Sequence, residues 1–183
     1  DRTLSSNEVA QLYALESRPA AGFETNGLVA YYPLNGNAND ASGNGNNGTV
    51  YGVGVLFSSD RFGTPNASAS FDGSVSYIEI TQTASLLNIS NRTISAWINM
   101  VGQSSISCCA ADVISQYDAL NGATGIRVDG SVGWVPRLFI RDTNGNYLAA
   151  QSQQYNSNQW HHIVATYNGT DRKSTRLNSS HRT

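Results

Sequence analysis

From Gly27 onward the chain runs in short apolar bursts separated by clusters of Gly, Asn, Asp and Ser. Leu28–Leu34 reads as a first strand, with Pro33 placing it at an end or an edge. Thr49–Phe57, Ser68–Phe71, Tyr77–Thr81, Thr93–Met100, Asp112–Tyr117, Ile126–Val128, Arg137–Arg141, Tyr147–Gln151 and His161–Tyr167 read as further strands. Many short strands at close spacing predict an all-β sandwich or barrel. Asn35–Gly48 is nearly all Asn, Gly, Asp and Ser, so it reads as a long loop, either functional or disordered. Strict alternation in Thr93–Met100 places Ile94, Ala96, Ile98 and Met100 on one face and Ser95, Trp97 and Asn99 on the other. Trp97 is expected in the inter-sheet core in preference to a concave face.

The first residues follow another rule. Ser5-Ser-Asn-Glu8 is a capping box, and Leu4 and Val9 are spaced for a hydrophobic staple. Val9, Leu12, Tyr13 and Glu16 recur at helical spacing, predicting a short helix over 6–16. A Pro- and Gly-containing stretch follows, read as a linker over residues 20–26.

The length of 183 residues suits one domain and suffices for a real core. At 39% hydrophobic and 13% charged, the composition favours a folded chain over a disordered one. The polar weight lies in 19 Asn, 23 Ser and 17 Gly, which are turn formers. No apolar run approaches the length of a membrane span, so no membrane insertion is expected. Asp1-Arg-Thr-Leu4 is not a signal peptide, which places any export signal outside this chain.

Charge is unevenly spread. Residues 1–170 hold seven arginines and no lysine against twelve acids, a balance of −5, whereas residues 171–183 carry four cations against Asp171, a balance of +3. A basic tail raises the question of nucleic-acid binding, but four cations without aromatics read as a solvated end, and no nucleic-acid partner is expected. Asp171–His181 also matches, codon by codon, the translation of a common short-read sequencing adaptor. Residues 171–183 are therefore expected to be adaptor read-through, set aside as a cloning scar would be, with the natural gene continuing past Thr170.

Catalysis on a β-sandwich by glycosidase chemistry needs two carboxylates at a fixed separation. No such pair is spaced along this sequence, and Tyr77-Ile-Glu-Ile80 holds a single acid. There is no Gly-x-Ser-x-Gly elbow. His161 and His162 point to opposite faces of a strand, so they do not readily share a metal; a structural role is expected for both. The chain is expected not to be an enzyme. The adjacent Cys108 and Cys109 could be free, bridged under strain or paired elsewhere, and they do not fix a redox compartment.

Four ordered blocks then acquire a common meaning. Gly27-Leu-Val-Ala-Tyr-Tyr-Pro-Leu-Asn-Gly-Asn-Ala-Asn-Asp40 with Ser42–Thr49 resembles the opening of laminin-G-like jelly rolls of the concanavalin A-like superfamily. Ser70-Phe-Asp-Gly-Ser74 with Tyr77–Ile80 is similar to the family's next strand pair. Arg92-Thr-Ile-Ser-Ala-Trp-Ile98 and Trp160-His-His-Ile-Val-Ala-Thr-Tyr-Asn-Gly169 resemble its two tryptophan strands. Asp1–Tyr13 looks like the closing segment of a preceding copy.

The resemblance implies a concanavalin A-like jelly-roll β-sandwich of two antiparallel sheets over 27–170, C-terminally truncated. Residues 1–19 would be the remnant of a preceding repeat, with neighbouring domains of the same polypeptide as partners. It further implies a non-catalytic extracellular or cell-surface module that binds carbohydrate or another extracellular ligand. A structural spacer without a sugar site is the alternative. Trp134 and Tyr51 are the aromatics expected to face a ligand. Calcium, which needs six to eight oxygens, is an expected cofactor at Asp40 and Asn39, with Asp72 as a second candidate. At Asp72 the acidic residues the family often shows after Gly73 are replaced by Ser74, Val75 and Ser76. The competing reading of these loops is a set of Asx-turns.

Overall fold

The computed structural model describes residues 4–9, 11, 27–81, 83, 86, 91–101, 111–118, 122–129, 135–141, 147–167 and 176–181. The chain divides into two units, residues 24–87 on one hand and residues 1–23 with 88–183 on the other. The described strands pair antiparallel throughout, as the alternating sequence pattern requires.

In the unit of residues 24–87, β1 (Gly48–Tyr51), β2 (Val55–Ser58), β3 (Ser68–Phe71) and β4 (Tyr77–Ile80) form two short sheets, β1 with β4 and β2 with β3. The expected single strand Thr49–Phe57 is two. Gly52 turns the chain at φ +84°, a left-handed conformation that glycine adopts without the penalty of a side chain.

Leu28–Leu34 is not a strand, contrary to its pattern. Its main-chain groups are taken by side chains of the loop that follows. Asn44 Nδ2 donates to the Leu28 and Val29 carbonyls at 2.9 and 3.0 Å, and Asn46 Nδ2 donates to Val29 O at 2.9 Å. Tyr31 donates its N–H to Asp40 and accepts the Ala41 N–H. The accounting that a neighbouring strand would satisfy is met locally instead.

The other unit holds β5 (Arg92–Asn99), β6 (Ala111–Asp118), β7 (Gly122–Asp129), β8 (Val135–Arg141), β9 (Tyr147–Gln151), β10 (Trp160–Tyr167) and β11 (Arg176–His181). Strands β6 to β9 form a meander, and β10 lies between β5 and β11 in a second sheet. Ile126 and Leu138 of the meander pack against Ile163 and Ala165 of β10 and against Tyr155, flanked by Ile94, Ile98 and Met100. Full burial of each large aliphatic contributes roughly 1.5–3 kcal/mol. This layer of sheet on sheet is the β-sandwich that the sequence implies.

The register of β5 on β10 aligns Ile94 with Ala165, Ala96 with Ile163 and Ile98 with His161, which fixes this as the core face. Trp97, expected in the core, stands on the opposite face, half-buried and stacked on His162. Strand β11 falls in the stretch expected to be adaptor read-through. Its backbone pairs along the edge of β10 from His181 to Arg176, a pairing that main-chain groups of any sequence can make. At the other terminus the capping box forms: Glu8 accepts from the Ser5 N–H and hydroxyl at 2.7 Å, and Ser5 Oγ accepts the Glu8 N–H. One helical turn follows, and the remainder of the expected helix and linker lies outside the described residues.

Candidate functional site

The Asn-rich loop is built around two side chains. Asp40 Oδ1 accepts the N–H groups of Tyr31 and Ser42, each at 2.9 Å. Its Oδ2 accepts the Ser42 hydroxyl at 2.8 Å and the Asn46 N–H at 2.9 Å. Partial burial alone would raise this carboxyl, but the hydrogen bonds from Tyr31, Ser42 and Asn46 outweigh it and hold the group below its ordinary value of 3.8. Asn46 is the second hub, 2% exposed, with every polar group engaged. It donates to Asp40 and Val29, while its Oδ1 accepts the Thr83 hydroxyl at 2.8 Å and its carbonyl accepts the Tyr32 hydroxyl at 2.6 Å. Burial, and then the Asp40 charge, push the Tyr32 phenol up to about 12.

Of the expected calcium ligands, the two aspartates therefore already accept hydrogen bonds. Both Asp40 oxygens are saturated by N–H and O–H groups, and a cation would have to displace them. Asn39 is exposed and donates its N–H to Asn37 Oδ1. Asp72 accepts the Ser74 N–H and the Ser76 hydroxyl, closing the turn between β3 and β4. Three of these contacts, from Ser42, Asn39 and Ser74, are Asx-turns. Among the described residues no three His, Cys, Asp or Glu side chains gather as a metal site. The donor set does not fit a calcium ion.

Tyr51 ends β1, and the register sets it directly across from Tyr77 of β4. The two rings stack with centroids 5.0 Å apart and 15° between planes. They are 42% and 51% exposed, unlike the aromatic residues of the core. Thr49 and Glu79 share their face by alternation. Hydrogen bonding and then charge from the neighbouring Glu79 carboxylate raise the Tyr51 phenol above its ordinary value. Among the described residues of β1 and β4, Glu79 is the single carboxylate on that face, so the paired acids of a glycosidase are missing from it. Tyr51, expected from the sequence to face a ligand, is an exposed aromatic here; its stacking partner Tyr77 was not singled out, because only the register of β1 on β4 joins them. Trp134, the other expected ligand residue, and Cys108 and Cys109 lie outside the described residues.

The histidines of β10 are buried on opposite sides of the strand, at 1% and 2% exposure. His161 stacks on Tyr155 at 4.2 Å and its Nε2 meets the Asn156 carbonyl at 2.9 Å. A carbonyl only accepts, so the proton there is assigned to Nε2. His162 stacks on Trp97 at 4.9 Å, with Ser95 Oγ 2.9 Å from its Nε2. Both are packing elements.

A family model described as concanavalin A-like lectin/glucanases superfamily, of the laminin G type, matches residues 72–177, more than half of the chain. The chain belongs to this superfamily. The concanavalin A-like assignment agrees with the antiparallel sheets and with the sandwich core across β5, β7, β8 and β10. No curated protein and no solved structure matches the chain. Laminin-G-like members are in general binding modules without catalysis, although the superfamily includes glucanases. Among the described residues no helix of this concanavalin A-like chain is long and apolar enough to cross a membrane.

Proposed function

We propose that the chain is a non-catalytic carbohydrate-binding module of a secreted or cell-surface protein, with the Tyr51–Tyr77 pair as its sugar platform. The observation that carries this reading is a parallel aromatic pair left exposed on a sheet face with a carboxylate beside it. The apolar C–H face of a pyranose packs on such a ring, and the Glu79 carboxylate and Thr49 hydroxyl supply acceptors and a donor for sugar hydroxyls.

The test is a glycan array followed by calorimetry with the full chain. Binding of a neutral glycan that falls at least about tenfold in Tyr77→Ala, with the circular dichroism spectrum kept, is the expected result. No binding to any neutral glycan, or equal binding by Tyr77→Ala, leaves the spacer reading in its place.

A further inference from the structure

The Tyr51–Tyr77 pair has two unlike ends. Along β1 and β4 the register runs from Thr49 across from Glu79 to Tyr51 across from Tyr77. The two segments stay side by side beyond that last pair. A Cβ on Gly52 would lie 3.0 Å from the Ser76 Cα, and the Gly54 N–H donates to Ser76 Oγ at 2.9 Å. Val53, between the two glycines, and Val75, next to that serine, therefore border the tyrosines at the end opposite Thr49 and Glu79. Successive same-face residues of a strand lie about 7 Å apart, the scale of one sugar ring.

Both valines are open to solvent, Val53 at 98% and Val75 at 77% exposure. A single exposed valine is ordinary on a protein surface. These two adjoin two exposed tyrosine rings, and contiguous apolar surface of this kind marks a ligand site. The acid of the same turn, Asp72, is engaged by the Ser74 N–H and the Ser76 hydroxyl. The surface thus grades from hydroxyl and carboxylate, through aromatic rings, to methyl groups.

We infer that the platform selects 6-deoxyhexoses, neutral sugars in which a methyl group replaces the hydroxymethyl group at C5. The inference rests on the sugar-platform reading and names its substrate class. Ring hydroxyls would bond Glu79 and Thr49, the C–H face would lie on a tyrosine, and the methyl group would pack on Val53 and Val75. A hydroxymethyl group in that place sets its hydroxyl against side chains that cannot bond it, and an acetamido group brings two such polar groups.

The experiment is calorimetry on the full chain with methyl glycosides in pairs that differ only at C6, L-fucose against L-galactose and L-rhamnose against L-mannose. In at least one pair the deoxy sugar is expected to bind about fourfold more tightly, the worth of one buried methyl group. Val53→Ser combined with Val75→Ser should erase that preference and leave the affinity for the parent hexose unchanged. Both side chains are exposed, so the variant keeps the fold, which circular dichroism checks. Equal affinities within both pairs, or a preference that survives in the double variant, overturn the inference. If the hexoses still bind and Tyr77→Ala weakens them, the tyrosine platform stands without this selectivity; if no sugar binds in a Tyr77-dependent way, both readings fall.

Discussion

The Asp40 carboxylate closes a loop by reaching back nine residues to the Tyr31 N–H, 2.9 Å away. The same oxygen accepts from Ser42, so one side chain sets the path of the segment before it and the turn after it. Replacing it with alanine strands four donors at once. Asp40→Ala is expected to lose about 2–4 kcal/mol in urea unfolding. Asp40→Asn should recover part of this, since an amide keeps one acceptor oxygen.

Calcium should be without effect on this loop. The melting temperature is expected to stay unchanged between excess calcium and chelator, because every Asp40 lone pair direction is already used by a donor. A calcium-dependent rise that disappears in Asp40→Asn would show that the loop rearranges around the ion.

Acid should act through the same group. The Asp40 carboxyl is depressed in the folded state, so its contribution is complete above the ordinary value of 3.8 and is lost as pH falls through the lower folded value. Wild type should therefore lose stability faster than Asp40→Asn on that acid limb. At the alkaline end Tyr32 is raised, so its contribution is present below 10.0 and lost as pH climbs through about 12. Tyrosinate absorbance in wild type and Tyr32→Phe isolates that step.

Gly125 has no room for a methyl group. A Cβ would run into the Ile114 carbonyl, the Ser115 Cα and the Phe139 ring, and the first two are backbone atoms that cannot rotate aside. Gly125→Ala is expected to destabilise by about 2–3 kcal/mol. Combining it with Phe139→Leu should relieve little, since the backbone contacts remain.

His161 should matter more than its partner's hydroxyl. His161→Ala removes a ring that is 1% exposed, stacked on Tyr155 and bonded to the Asn156 carbonyl, and should lose about 3 kcal/mol in chemical denaturation. Tyr155→Phe keeps the stack and should stay within about 1 kcal/mol of wild type, because the buried Tyr155 hydroxyl has no hydrogen-bond partner to lose.

The strands themselves were largely legible, because period-two alternation and Gly/Asn punctuation are local signals. Ser68–Phe71 and Tyr147–Gln151 coincide with β3 and β9, and His161–Tyr167 falls one residue short of β10. What failed depended on distant partners. Leu28–Leu34 has a strand's side chains, but its hydrogen bonds are fixed by Asn44 and Asn46, many residues on. Trp97 is large and apolar, yet its face was decided by the register of β5 on β10. The bulge between Asp112 and Ile114 is likewise silent in the sequence. It leaves Asp112 facing Arg127 while Ile114 faces Ile126 on the other side. The Asx-turn reading of the loop was sound because an Asx-turn is local, whereas the meeting of Tyr51 with Tyr77 required a sheet.

The dressing of Leu28–Leu34 by its loop has a consequence for the chain in company. Leu28-Val-Ala-Tyr-Tyr32 is uncharged and rich in β-forming side chains, the profile of a segment that recruits copies of itself into stacked strands. Recruitment needs main-chain carbonyls open to a newcomer, and those of Leu28, Val29 and Tyr31 are already claimed from within. The Asn-rich loop is thus a guard over an adhesive segment. Trimming it, or replacing Asn44 and Asn46 together, is expected to uncover those carbonyls and raise the tendency to aggregate, read as light scattering against the unaltered chain.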